Sequence, residues 1–314
     1  MILSTAVLEH LHKHLPEVRL DVLVRAGNES LFDMHPFVQR VHSWNKRQRK
    51  YTNLFRLAGA IRNERYDAVI NLQRHTASAV LTILSRAKQT AGFDENFLSR
   101  LFTFRVKHRI GNAGDTNYAH EVQRCIELTK PWAPKEFTLP KLYPSSKDEA
   151  AVAHYVKEPF ITISPSSVWI TKQTPSEVWQ KLISTIKCKI YLMGGPSDKE
   201  LCAALAADHA HVEVLAGKLT LLQSTALMSY AQMNYTNDSA PLHLCSAVDA
   251  PVTAVFCSTI PEFGFGPLSH RSKVVQTREH LDCRPCGIHG RAACPKGHFK
   301  CGNINLSDLI KPIA

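Results

Sequence analysis

The sequence has no stretch approaching the ~18 to 20 uninterrupted apolar residues that a membrane-spanning helix needs. Its opening, MILSTAVLEHLHKHL, lacks both the cationic start and the small-residue cleavage site of a secretory signal, so a cytoplasmic location is expected. No GxGxxG and no GxxxxGK[ST] occurs, which removes the main sequence support for a dinucleotide oxidoreductase or a P-loop nucleotidase. Heptad runs, short-period repeats and low-complexity tracts are likewise absent, which argues against coiled coils and solenoids. Charged residues make up only 21% against 44% apolar, a balance that excludes a disordered or fibrous chain.

What is present suits two cores. A chain of 314 residues exceeds one small domain and fits two of ~150. Five of the nine cysteines (Cys125, Cys188, Cys202, Cys245, Cys257) lie singly in apolar-periodic segments, as reduced core cysteines do, and the rest cluster from Cys283 onward. Lysine and arginine outnumber acids 38 to 27, giving +11. That excess serves solubility or an anionic partner: nucleic acid, a phospholipid surface or a phosphorylated substrate. The runs Lys46, Arg47, Arg49, Lys50 and Arg100, Arg105, Lys107, His108, Arg109 read as solvated faces.

The apolar periodicity predicts α/β winding. Leu3, Val7, Leu8, Leu11 and Leu15 share one helical face that ends at Pro16, and Arg19 to Val24 reads as a strand. A helix at Leu54 to Arg65, a strand at Asp67 to Leu72, a helix at Ala77 to Ser85 and a strand ending at Phe93 continue the pattern. Residues 131–148 hold four prolines and polar turn residues, so the inter-domain linker is placed there, giving domains 1–145 and 146–314. The second domain alternates again, with strands predicted at 160–164, 189–193, 212–215, 233–236 and 252–256 and helices at 176–186, 197–207, 221–230 and 241–248. Paired Rossmann-like domains of this kind are expected to face a cleft and to bind a ligand at the strand C-terminal ends.

Three loops at such ends carry candidate chemistry. Thr236-Asn237-Asp238-Ser239-Ala240-Pro241-Leu242-His243 lies where a strand passes into a helix; Asp238 or Ser239 can cap that helix, and its free N–H groups suit a diphosphate. His243 either points at the ligand or is a satisfied half-buried histidine. In Ser164 to Lys172, Ser166 and Ser167 supply donors and Lys172 a point charge suited to phosphate. Gly194 to Glu200 carries acids that suit ribose hydroxyls, or is a capping box with Ser197 as cap and Glu200 three residues on. Taken together, the three loops point to one crevice.

These segments resemble glycosyltransferase family 9, the ADP-heptose:lipopolysaccharide heptosyltransferases. The resemblance rests on Asn237 to Leu244, similar to the family's D[ST]GxxH segment, on Lys172 before Pro175, similar to its KxWP segment, and on Phe265-Gly266-Pro267. The tail Cys283-Arg284-Pro285-Cys286 through Cys294-Pro295, Gly297-His298-Phe299 and Cys301 is similar to the heptosyltransferase II-like branch. The resemblance implies a GT-B fold and transfer of heptose from ADP-heptose, with inversion and without a metal cofactor, to the phosphorylated, anionic inner core of lipopolysaccharide. It further implies peripheral contact with the inner-membrane surface and no nucleic-acid partner. Lys172 and Asp238 then carry the catalytic roles, Ser166, Ser167, Lys172, Glu200, Asp238, Ser239 and His243 bind donor, and Arg74 and His75 contact acceptor.

The family begins with a strand and a Gly-Asp pair whose aspartate is the general base. MILSTAVLEHL resembles the helix that follows, so the first strand and that aspartate are expected before Met1. The alternative implied by its absence is a catalytically inactive member that binds sugar nucleotide or core oligosaccharide. The tail spacing Cys283-x2-Cys286-x7-Cys294-x6-Cys301 is a candidate structural zinc tetrad, or a set of reduced or redox-labile thiols.

Overall fold

A computed structural model describes residues 1–46 and 50–313; Arg47 and Arg49 of the first basic run lie outside the described residues. The chain divides into two units. One comprises Leu3–Ile110 and Glu121–Tyr143, the other Gly111–His120 and the chain from Pro144 onward.

The first unit contains α1 (Thr5–His14), β1 (Leu20–Arg25), β2 (Val38–Trp44), α2 (Lys50–Asn63), β3 (Ala68–Asn71), α3 (Thr76–Leu84), β4 (Gln89–Phe93), β5 (Phe104–Val106) and α4 (Glu121–Glu127). Its strands form two separate parallel sheets, β1-β2 and β3-β4-β5. Strand β2 (VQRVHSW) alternates too weakly to be recognised in the sequence, because as the partner of a single strand it buries only Trp44 fully.

In the second unit follow α5 (Ser146–Val152), β6 (Phe160–Ser164), α6 (Ser176–Thr185), β7 (Lys189–Leu192), α7 (Lys199–Ala206), β8 (Val212–Val214), α8 (Leu221–Tyr230), β9 (Met233–Asn237), α9 (Ala240–Ala247), β10 (Val252–Phe256), β11 (Ser272–Gln276) and α10 (Leu306–Ile310). The proline-rich stretch expected to be linker through residue 148 already starts α5 at Ser146. A reciprocal capping box between Ser145 and Asp148 nucleates that helix directly after Pro144.

The six strands run parallel in the order β11-β10-β9-β6-β7-β8. Strands β6 (FITIS) and β10 (VTAVF) are buried at every residue, as parallel strands covered on both faces are. Helix α6 places Trp179, Leu182 and Ile183 at i, i+3 and i+4 against them, each fully buried and contributing about 2 kcal/mol of transfer free energy. Buried Asn234 locks the centre: its amide donates to the carbonyls of Met228 and Pro251, and its oxygen accepts from Thr162 across the β6-β9 pair.

Chain order reverses between β6 and β9. From β6 the chain winds outward through β7 and β8, then returns to β9 on the other side and winds outward again. Loops at the C-terminal ends of two such neighbours diverge and leave a crevice, the place where doubly wound sheets bind ligands.

Candidate functional site

The loops after β6 and β9 flank this switch point, and their bases lie side by side. Ser164 pairs in register with Thr236, so Asn237 and Asp238 emerge beside Pro165. Asn237 is fully buried and ties the two loops together: its Nδ2 donates to Pro165 O at 2.8 Å, and its Oδ1 accepts from Thr174 N at 2.9 Å and Thr174 Oγ1 at 2.7 Å. Sequence reasoning gives Asn237 no site role of its own, although an asparagine where a strand passes into a helix is the available signal for it.

With the loop so held, Lys172 Nζ lies 2.7 Å from Asp238 Oδ2, with side chains only 14% and 8% exposed. The same carboxylate oxygen accepts from Thr259 Oγ1 at 2.7 Å, after β10. Asp238 therefore does not cap α9 as the sequence allowed, since its carboxylate is taken by the lysine and the threonine. Ser239 occupies the N-cap position without a side-chain cap and donates instead to Asn237 O at 3.4 Å. The first turn of α9 is left without a side-chain acceptor at a positive dipole end. His243 sits half-buried on that turn.

Ser166 and Ser167 are half-buried beside the pair, with their carbonyls held by Asn237 Nδ2 at 3.4 Å and Gln173 Nε2 at 2.7 Å. The third loop behaves differently. Asp198, not Ser197, is the N-cap residue of α7, and its carboxylate accepts from Gly195 N at 2.7 Å, which leaves Glu200 exposed. In the first unit Arg74 follows β3 and pairs with Glu95 at 3.0 Å, while His75 is the exposed N-cap residue of α3.

The cysteine-rich tail builds the wall of the site. Arg284, drawn in by carbonyls, donates to Cys257 O at 2.6 Å, Phe256 O at 3.1 Å and Thr259 O at 2.7 Å at the end of β10. Thr171 and Arg291 exchange two hydrogen bonds, N to O at 3.1 Å and N to Oγ1 at 2.8 Å. Gly290 lies under the lysine stem: a Cβ there would stand 2.8 Å from Lys172 Cγ. An open concavity of about 550 Å³ beside it is lined by Trp169, Cys286, Ile288, His289 and Arg291 among others.

All nine cysteines are free thiols. Among the described residues no group of three or more His, Cys, Asp or Glu side chains is arranged to hold a metal ion, so the tetrad Cys283, Cys286, Cys294 and Cys301 is not assembled as a metal centre here. Burial pushes the Cys301 thiol up to about 11, whereas N–H groups of Phe299, Lys296, Gly297 and His298 lower that of Cys294. The Phe265-Gly266-Pro267 segment anchors residues 111–120: His120 Nε2 donates to Gly266 O at 3.1 Å, and a Cβ on Gly111 would meet Glu262 O at 2.2 Å.

The architecture matches solved structures over most of its length. The E. coli ADP-heptose LPS heptosyltransferase II superposes with a TM-score of 0.76 at 20% identity, covering 91% of this chain and 92% of that one. E. coli heptosyltransferase WaaC with ADP gives 0.68 at 22% identity, covering 87% and 88%. The fold is therefore that of the GT-B glycosyltransferases, as the family resemblance implied.

Sequence comparison narrows this class. The profile of glycosyltransferase family 9 (heptosyltransferase) matches residues 54–292, and the chain belongs to that family. Similar proteins include lipopolysaccharide heptosyltransferase 3 of Escherichia coli, 25% identical over 82% of this chain and 80% of that one. Lipopolysaccharide heptosyltransferase 1 of Campylobacter coli is 23% identical over 99% and 94%.

Proposed function

We propose that this glycosyltransferase transfers heptose from ADP-heptose to the inner core of lipopolysaccharide, with inversion at the anomeric carbon and without a metal in the chemical step. The observation that carries the reading is the Lys172–Asp238 pair at the β6-β9 switch point, beside the uncapped start of α9. Names of the relatives support the donor and acceptor class, since heptosyltransferase II is described with ADP-heptose and the curated relatives with lipopolysaccharide.

The second unit is the donor-binding domain and the first the acceptor-binding domain in this reading. Lys172 exchanges Asp238 for the donor diphosphate, and charge developing on departing ADP is met by its ammonium and by the positive dipole end of α9. Ser166, Ser167, Ser239 and His243 line the donor, with Glu200 the residue nearest in sequence to a ribose role. Arg74 and His75 contact the phosphorylated acceptor. The work is done at the cytoplasmic face of the inner membrane, where such an acceptor is anchored.

The test is ADP release from ADP-heptose, with and without heptose-deficient lipopolysaccharide core. Acceptor-dependent release, with one heptose added per ADP, is the expected result. Tight donor binding with no release on any core acceptor would overturn the transfer assignment.

A further inference from the structure

The C-terminal ends of α2 and α3 bring cations together far from the loops just described. A cavity of about 560 Å³ in the first unit is lined by Arg62, Asn63, Arg65, Tyr66, Arg86 and Lys88. It lies where the chain runs from α2 into β3 and from α3 into β4, at the N-terminal ends of those strands, opposite the ends that carry Arg74 and Glu95. Lys88 pairs with exposed Asp67 at 2.6 Å. Arg62, Arg65 and Arg86 are exposed and make no side-chain hydrogen bond or ion pair among the described residues. Like charges held around one concavity repel, and an anion from outside relieves that repulsion.

Two of these arginines occupy backbone positions that suit other residues better. Arg65 and Arg86 each stand two residues past their helix, at φ 55° and 53°, where glycine or asparagine is easier to accommodate. The second unit makes the same turn after α7 and α9 with Asp208 and Asp249. The cationic choice therefore belongs to the first unit and is not dictated by the turn.

The outward face of α2 continues the patch. Tyr51 and Phe55 are 69% and 62% exposed, and helical spacing aligns them with Arg62, with exposed Arg56 beside them. Exposed Leu84 stands two residues before Arg86 in the chain, and the indole N–H of half-buried Trp132 is held by Gln89, the residue after Lys88. Free phosphate would use the arginines but gives no role to the exposed ring of Phe55. An anionic bilayer uses both, since aromatic rings favour the headgroup boundary and cations favour lipid phosphate.

We propose that the outer face of α2 and the arginine-rimmed cavity at its end dock this protein onto anionic phospholipid headgroups. The inference goes beyond the transfer reaction and gives a place to the membrane contact that reading assumes. Its test contains no sugar nucleotide, so the two fail separately.

The whole chain is sedimented with vesicles of phosphatidylcholine alone or mixed with phosphatidylglycerol, at about 0.1 M salt, where charges are screened beyond ~10 Å. Arg65→Asn with Arg86→Asn keeps the left-handed backbone comfortable while removing two charges. At about fivefold per cation, the double variant should bind the anionic vesicles at least about tenfold less well. The same charge loss elsewhere, Lys181→Gln with Lys187→Gln, should cost less than about threefold. Phe55→Ser should weaken binding at high salt as well as low. ADP release with a soluble core acceptor should be unchanged in all three. Equal losses in both double variants, or no preference of the wild type for anionic vesicles, would overturn the proposal. So would displacement by millimolar inorganic phosphate, which marks a small-anion site, or equal arginine-dependent binding of duplex DNA.

Discussion

Lys172 and Asp238, 66 positions apart in sequence, meet at 2.7 Å because β6 and β9 are neighbours across the point where chain order reverses. Both are positioned before any ligand arrives. The lysine stem rests on Gly290, and the carboxylate is held by Thr259, so the cation is fixed at the crevice before any ligand arrives. Positioning of this kind spares reorganisation when charge develops, which is where electrostatic catalysis gains most.

Lys172→Ala should therefore lower kcat/KM for ADP-heptose by about 10²- to 10³-fold, the loss seen when one preorganised charge-stabilising group is removed. Lys172→Arg should recover only part of it, because a planar guanidinium does not replace a compact ammonium seated over Gly290. ADP-release kinetics measure both. A Lys172→Ala enzyme within threefold of wild type would remove the lysine from the mechanism.

Asn237→Ala tests the frame rather than the charge. It would leave the Thr174 N–H and the Pro165 carbonyl buried without their partner, costing about 2 to 4 kcal/mol. The urea midpoint should fall, and donor KM should rise because the Lys172 loop loses its tether. An unchanged midpoint would mean that the two loops hold their course without this amide.

Much of this was legible in the sequence, and the exceptions have physical causes. Strands β6 and β10 announce themselves as short continuous apolar runs, and helix α6 by the i, i+3, i+4 spacing of Trp179, Leu182 and Ile183. Strand β11 (SKVVQ) and strand β2 stand at sheet edges and fully bury only Val275 and Trp44, so neither an alternation nor a continuous apolar run forms. Lys172, Asp238 and His243 stood out by residue type and by position after a strand. Thr259 and Arg284 did not, since a threonine and an arginine in a loop acquire meaning only when a tail folds back onto β10. Neither Asp238 nor Ser239, the two residues able to cap α9, does so: a local rule names the nearest donor, and the Asp238 carboxylate found a cation 66 residues away.

Gly290→Ala should act on Lys172 without touching any ligand. Its φ is +77°, and the added Cβ would stand 2.8 Å from Lys172 Cγ and 3.1 Å from Trp169 Cβ. The lysine stem has to shift, so kcat should fall by about tenfold, since an ångström of misplacement is felt strongly at a charge-stabilising site. A normal far-ultraviolet spectrum with reduced kcat is the expected pair of results. Full activity would show that the tail can yield without moving the lysine.

His35 sets an acid limit on the first unit. Its ring lies 4.5 Å from Phe37 and 4.9 Å from Tyr143 between centroids, neither nitrogen has a hydrogen-bond partner among the described residues, and burial, aided by nearby His12, lowers its pKa to about 4. The unfolded chain protonates this imidazole near its ordinary value of 6.5, so as pH falls below that value the unfolded state takes up the proton first. Stability is thus retained above about pH 6.5 and lost progressively toward pH 4, by on the order of 2 kcal/mol from this residue. His35→Phe keeps an aromatic ring among its neighbours and cannot titrate. Urea unfolding at pH 7.5 and pH 4.5 should therefore show a smaller acid loss in the variant than in wild type. Parallel losses in the two proteins would mean that another group, and not His35, governs the acid side.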